Sequence, residues 1–189
     1  ELDALFAVEN PTKTAVCILA DKEEIGSVGI SGMQSQFFEH FVGGLCDAQG
    51  VKLSDCFANS FCLSADVSNA FDPNFPEVSD KRNNSLLNYG VAICKYTGSR
   101  GKGGASDASA EAMGHVRTTL NNAGVIWQIA TLGKVDQGGG GTVAAYMANR
   151  NIVTVDAGVP VLSMHAPIEL VSKLDCYETM LACKAIYLA

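Results

Sequence analysis

Short apolar runs recur along the chain between polar stretches rich in glycine, proline and asparagine, and their lengths alternate between strand and helix scale. Ala15 to Ala20, Phe61 to Ala65, Val91 to Tyr96, Val125 to Ala130, Ile152 to Val155 and Val159 to Leu162 read as strands. Between them, Gln34 to Leu45 places Phe37, Phe38, Phe41 and Val42 at helical spacing. A second helix is expected from the Asp107 region to about Asn121, with Asp107 as its N-cap. A third begins near Thr142, and the last starts near Ile168 and Glu169. Glu1 to Val8 has the spacing of the back half of a helix, and Ala70 to Asn84 reads as a surface loop. Such alternation predicts a single α/β domain over residues 1–189: three layers, α/β/α, around a mostly parallel, mixed sheet.

In sheets of that kind, sites form at the carboxyl ends of strands. Four side chains fall there on this reading: the adjacent Glu23 and Glu24 after the first strand, Asp66 after the second, and His165 after the last. Neighbouring residues on an extended chain point to opposite sides. Two adjacent glutamates can therefore divide the work, one binding a metal and the other moving a proton. Carboxylates and imidazole are ligands that zinc accepts at catalytic centres. Singly, each residue has a plainer explanation as a solvated turn, a cap or a structural histidine. Their combination favours a hydrolytic metal site.

Composition narrows the class. Of 189 residues, 48% are apolar and 17% charged, which suits one well-buried domain. A net charge of −7 argues against a nucleic-acid groove. No apolar run approaches the ~20 residues of a membrane helix, and no signal-like pattern opens the chain. The seven cysteines form no CxxC pair and sit mostly in apolar runs, so buried free thiols in a reducing cytoplasm are expected. Gly138 to Gly141 precede a helix but lack the Lys-Ser/Thr ending of a phosphate loop, so they are expected to let backbone approach a substrate or another loop closely.

Four runs, in this order and spacing, resemble the aspartyl aminopeptidase family of two-zinc metallopeptidases, especially its bacterial branch. They are Asp21 to Ser27, Ser64 to Ser68, Asp136 to Thr142 and Gly158 to Pro167. The resemblance covers nearly the whole chain. It implies Glu23 as general base, Glu24 and His165 as ligands of one zinc, and Asp66 as a ligand of the other, with cobalt or manganese as alternative metals. It further implies Asn69, Lys102, Gly138, Gly139 and Met164 as substrate-facing residues, peptides with a free N-terminus as substrates, and a homo-oligomer. Relatives in that family also carry a histidine ligand and a metal-bridging aspartate before the Asp21 run, and an inserted oligomerisation domain. By family spacing these fall before Glu1, and neither Asp3 nor His40 fits them. The chain is therefore expected to match the C-terminal part of the catalytic domain, with weak metal affinity and little activity by itself. Asn69 stands where many relatives have a histidine that helps bind acidic side chains; Arg100 or Lys102 are the candidates to compensate. The rival reading is a folded, non-catalytic remnant of the same family.

Overall fold

A computed structural model describes residues 1–100, 102–134 and 136–189. Gly101, part of the loop expected between Thr97 and Gly104, lies outside the described residues. Among the described residues, six α-helices and five strands follow the chain in the order α1 (Leu2–Phe6), α2 (Phe37–Gln49), α3 (Leu53–Ala58), β1 (Phe61–Asn69), β2 (Val91–Cys94), α4 (Ala110–Asn122), β3 (Trp127–Ile129), α5 (Ala144–Ala148), β4 (Val153–Leu162), β5 (Leu170–Val171) and α6 (Lys173–Tyr187).

The sheet runs β1-β4-β2-β3, with β5 attached to the far end of β4. β1 is parallel to β4 and β2 to β3, whereas β4 is antiparallel to β2 and β5. The nine-residue β1–β4 ladder makes the sheet mostly parallel by length. Side-chain parity divides the core into two layers. Phe61, Leu63, Val155 and Ala157 pack with Met113, Val116 and Leu120 of α4 and Ala182 of α6. Cys62 instead joins Val42 and Cys46 of α2, Phe57 of α3 and Met147 of α5. The expected α/β/α arrangement is present.

Several expected boundaries move, each for a local reason. The two runs predicted on either side of Gly158 are one strand, β4. Pro160 does not break it because its missing N–H falls between the residues paired with β2 and those paired with β5, where no ladder bond is lost. α4 is capped by Ser109, whose Oγ accepts from Ala112 N at 3.1 Å. Asp107 is not the cap; its carboxylate is held by Lys95 and Lys102. The last helix begins at Lys173 with Ser172 as N-cap, because Leu170 and Val171 first pair with β4. Ala15 to Ala20 forms no strand, having no neighbour to pair with. Asp66 lies inside β1, since the β4 ladder continues to Asn69. Glu23, Glu24 and Asp66 therefore do not follow strand ends, and only His165 does.

Gly90 shows how tightly β2 is seated: its φ is +85°, and a Cβ there would lie 2.1 Å from Ile126 O. Just beside it, fully buried Asp175 of α6 accepts from Asn88 N and Gly90 N, both at 2.7 Å.

Candidate metal centre

The loop carrying Glu23 and Glu24 is a 3-10 turn, Glu23–Ile25, pinned from several sides. Ser31 Oγ donates to Asp21 Oδ2 at 2.6 Å, Gln34 Nε2 donates to Gly26 O at 2.7 Å, and Ser27 N donates to Lys22 O at 2.8 Å. Lys22 enters the turn in the left-handed region at φ 62°. The Ser31 hydroxyl, followed by Lys22, holds the Asp21 carboxyl below its ordinary range.

His165 is presented by the loop leaving β4. Ser163 and His165 both take left-handed backbone, φ 59° and 67°. The Glu169 carboxylate accepts the His165 N–H, and Ala166 N donates to Ser163 O at 2.9 Å. This loop and the Glu23 turn meet: His165 Nδ1 lies 3.6 Å from Glu24 Oε1. Asp66 comes from β1, where its Oδ1 accepts from Val67 N at 2.7 Å.

Glu23 is partly buried, and its carboxyl is raised above its ordinary value. Burial contributes most, followed by the negative charges of Asp66 and Glu24, while His165 acts in the opposite direction. Asp66, Glu24 and His165 thus all lie within electrostatic reach of Glu23. Among the described residues, however, no three His, Cys, Asp or Glu side chains converge closely enough to hold an ion. The Glu24–His165 pair does suit one. Two ligands of a tetrahedral zinc, each about 2.0–2.1 Å from it, lie about 3.3 Å from each other.

The remaining expected residues divide. Lys102 is not a free cation: its ammonium pairs with Asp107 and sits 4.6 Å from the Tyr96 ring centroid. Gly139 (φ +87°) presses on a neighbouring loop, for a Cβ there would fall 2.3 Å from Gly98 O, and Gly138 O accepts from Arg100 N at 3.0 Å. Close backbone approach is thus what these glycines permit, with Gly98, Arg100 and Gly104 as the neighbours. The Asn69 carbonyl is occupied by Asn84 Nδ2 and Ser85 Oγ, both at 2.9 Å. Met164, between the two left-handed residues, is half-buried.

Two acidic residues near this region escaped the sequence reading. Asp156, 4% exposed in the middle of β4, is paired in register with Ser64 and shares the sheet face of Asp66. Burial pushes its carboxyl up to about 6, against a 2.5 Å hydrogen bond from Thr142 Oγ1 that lowers it. The signal available for it was one carboxylate inside an otherwise apolar strand. Glu169 carried only its spacing, four residues after His165.

A family model described as "Aminopeptidase I zinc metalloprotease (M18)" matches residues 2–187. The chain belongs to this family. A relative named "Probable M18 family aminopeptidase 1" from Clostridium acetobutylicum is 50% identical over 181 residues, which are 94% of this chain and 39% of the relative. The crystal structure of aminopeptidase I from Clostridium acetobutylicum matches with a TM-score of 0.91 and 48% identity, over 99% of this chain and 41% of that one. The structure of the S. cerevesiae mApe1 dodecamer matches with a TM-score of 0.73 and 27% identity, over 89% and 36% of the two chains. The chain of this M18 member therefore spans about two fifths of the length of the relatives it matches.

Proposed function

We propose that this chain supplies one side of a zinc aminopeptidase centre, with Glu23 as general base and Glu24, Asp66 and His165 as metal ligands. The observation that carries the reading is the approach of His165 Nδ1 to Glu24 Oε1, 3.6 Å, with the Asp66 charge near enough to raise the Glu23 carboxyl. The Glu24 and Asp66 charges both act against ionisation of Glu23, and divalent cations relieve such repulsion. Zinc, two ions per complete site with cobalt or manganese as alternatives, would lower the pKa of a water and polarise the scissile carbonyl. Glu23 then takes the proton of the attacking water and returns it to the leaving amine. Its raised carboxyl suits both halves of that transfer, because a base closer to neutral pH also serves as a better acid.

Peptides with a free N-terminus are the substrates on this reading, and the complete enzyme is a homo-oligomer, as the S. cerevesiae relative is. Asn69 and Met164 remain substrate-side proposals, while the ion pair of Lys102 with Asp107 argues against a role for it as a free anion receptor. Among the described residues no helix is long and apolar enough to cross a membrane.

A second reading, a folded piece without chemistry of its own, is favoured by the absence of any three-ligand cluster among the described residues. Metal content by elemental analysis and hydrolysis of aminoacyl p-nitroanilides, measured on the protein and on Glu23→Gln, separate the two. Because the chain supplies one side of the centre, the aminopeptidase reading expects the same weakly held zinc in both proteins and a loss of about 10²–10⁴-fold in the variant from whatever turnover the protein shows. Absence of metal, or turnover unchanged by the substitution, refutes it.

A further inference from the structure

The Glu23–Ile25 turn does not follow a strand, because Ala15 to Ala20 forms none, so its position has to come from elsewhere. The exit of the turn supplies it. Ser27 is buried, and its carbonyl accepts from Gln34 N at 3.0 Å. A Cβ on Gly32 would fall 2.2 Å from the same oxygen, so glycine is what lets the chain close over it. The preceding carbonyl, Gly26 O, accepts from two side chains: Gln34 Nε2 at 2.7 Å and Tyr146 Oη at 3.3 Å. Those two groups also meet each other, Gln34 Nε2 donating to Tyr146 Oη at 3.3 Å. Amide, phenol and carbonyl thus close a triangle at the end of the turn.

Behind the triangle stands Arg150, whose side chain is 15% exposed. Its Nε donates to Glu39 Oε1 of α2 and its Nη1 to Tyr146 O, both at 2.7 Å. Its Nη2 donates to Met33 O at 3.2 Å and to Ser35 O at 3.4 Å. Met33 and Ser35 flank Gln34, so one guanidinium holds the backbone on both sides of the amide and the residue that carries the phenol. The rigid fork of donors suits that task, and a single ammonium does not. α5, which bears Tyr146, is tied in turn to the sheet: Ala144 N donates to Thr142 Oγ1 at 3.3 Å, and Thr142 Oγ1 donates to buried Asp156 of β4. Among the described residues no hydrogen bond restrains the Glu23 or Glu24 carboxylate, so the placement of both side chains is inherited from this backbone.

We infer that Arg150 is a positioning residue for the Glu23–Glu24 turn, acting through Gln34 and Tyr146. The inference deepens the reading of that turn as general base and zinc ligand, and it rests on that reading for its chemical meaning. The turn takes its position from β4 by way of α5, rather than from the segment that precedes it.

Three conservative variants test it: Gln34→Met, Tyr146→Phe and Arg150→Lys. The lysine keeps a cation beside Glu39 but cannot hold the three carbonyls as well. The first readout needs no metal. It is hydrogen exchange at the amides of Gly26 and Ser27, which close the turn onto Glu23 O at 2.9 Å and Lys22 O at 2.8 Å. Exchange there is expected to quicken about two- to tenfold in Gln34→Met and at least about tenfold in Arg150→Lys, with a smaller effect in Tyr146→Phe. The amides that pair β1 with β4 should keep their rates. The second readout is the affinity for zinc alone, by competition with a chromophoric chelator, expected to fall about tenfold in Arg150→Lys. Exchange at Gly26 and Ser27 that is equal in all four proteins overturns the inference. So does a rise that includes the β1–β4 ladder to the same degree, which marks a merely structural role. A looser turn with zinc affinity unchanged overturns it too, because the ligands have then not moved with the backbone. If the unsubstituted protein binds no zinc, the aminopeptidase reading falls, and exchange alone decides whether Arg150 sets the turn. If Arg150→Lys does not fold, the other two variants decide.

Discussion

Asp156→Asn should stabilise this protein at neutral pH and leave its stability nearly unchanged in acid. Asp156 is 4% exposed, and burial holds its carboxyl at about 6 instead of the ordinary 3.8. As pH rises, the unfolded chain loses this proton near 3.8, whereas the folded chain keeps it until about 6. The folded state therefore binds more protons across that window, and stability falls as pH rises through it. Below 3.8 the group adds no penalty; above 6 the penalty is complete. The gap of about two pH units corresponds to about 3 kcal/mol. Asparagine keeps an oxygen that can accept from Thr142 Oγ1 and carries no charge to bury. Its second amide hydrogens need partners, so the gain realised is expected at about 1–3 kcal/mol. Urea unfolding of both proteins at pH 4, 5, 6 and 7.5 reads the difference directly, because other titrating groups cancel. The reasoning fails if the variant is no more stable at pH 7.5, or if its advantage is the same at pH 4.

Asp175→Ala removes the acceptor of both Asn88 N and Gly90 N in a fully buried setting and should cost about 3–5 kcal/mol in urea unfolding; a loss under 1 kcal/mol would show that water replaces the carboxylate freely. The seven free thiols should react in a fixed order with iodoacetamide at pH 8, followed by mass spectrometry: exposed Cys176 first, and Cys94 and Cys183, which burial pushes up to about 12 and about 11, only on unfolding. Modification of Cys94 at the rate of Cys176 would contradict the packing described for β2.

Hydrophobic patterning located β1, β2, β3 and both halves of β4, because apolar runs of that length have few alternatives to a buried strand. It missed what depends on partners rather than composition. Ala15 to Ala20 has strand chemistry and no strand beside it. Leu170 and Val171 are too few to signal a strand, yet they pair with β4 and delay α6 to Lys173. Asp107 was a reasonable cap until two lysines from other segments claimed its carboxylate. At the candidate centre, Glu23, Glu24, Asp66 and His165 were visible as chemistry at expected turns, and they do draw together. The route by which they meet was not visible, since Asp66 lies within a ladder and the glutamates follow an unpaired segment. Asp156 was hidden because an acidic residue in an apolar run gives no hint of its depth until the neighbouring strand is in place.

The left-handed backbone at Ser163 and His165 has a consequence for how this protein can change. Non-glycine residues held in that conformation cost about 1–2 kcal/mol each, so glycine at either position is among the simplest routes to a sturdier chain. At 165 that route removes the imidazole. At 163 it slackens the loop that aims it. Robustness and the geometry of the centre therefore make opposite demands within three residues.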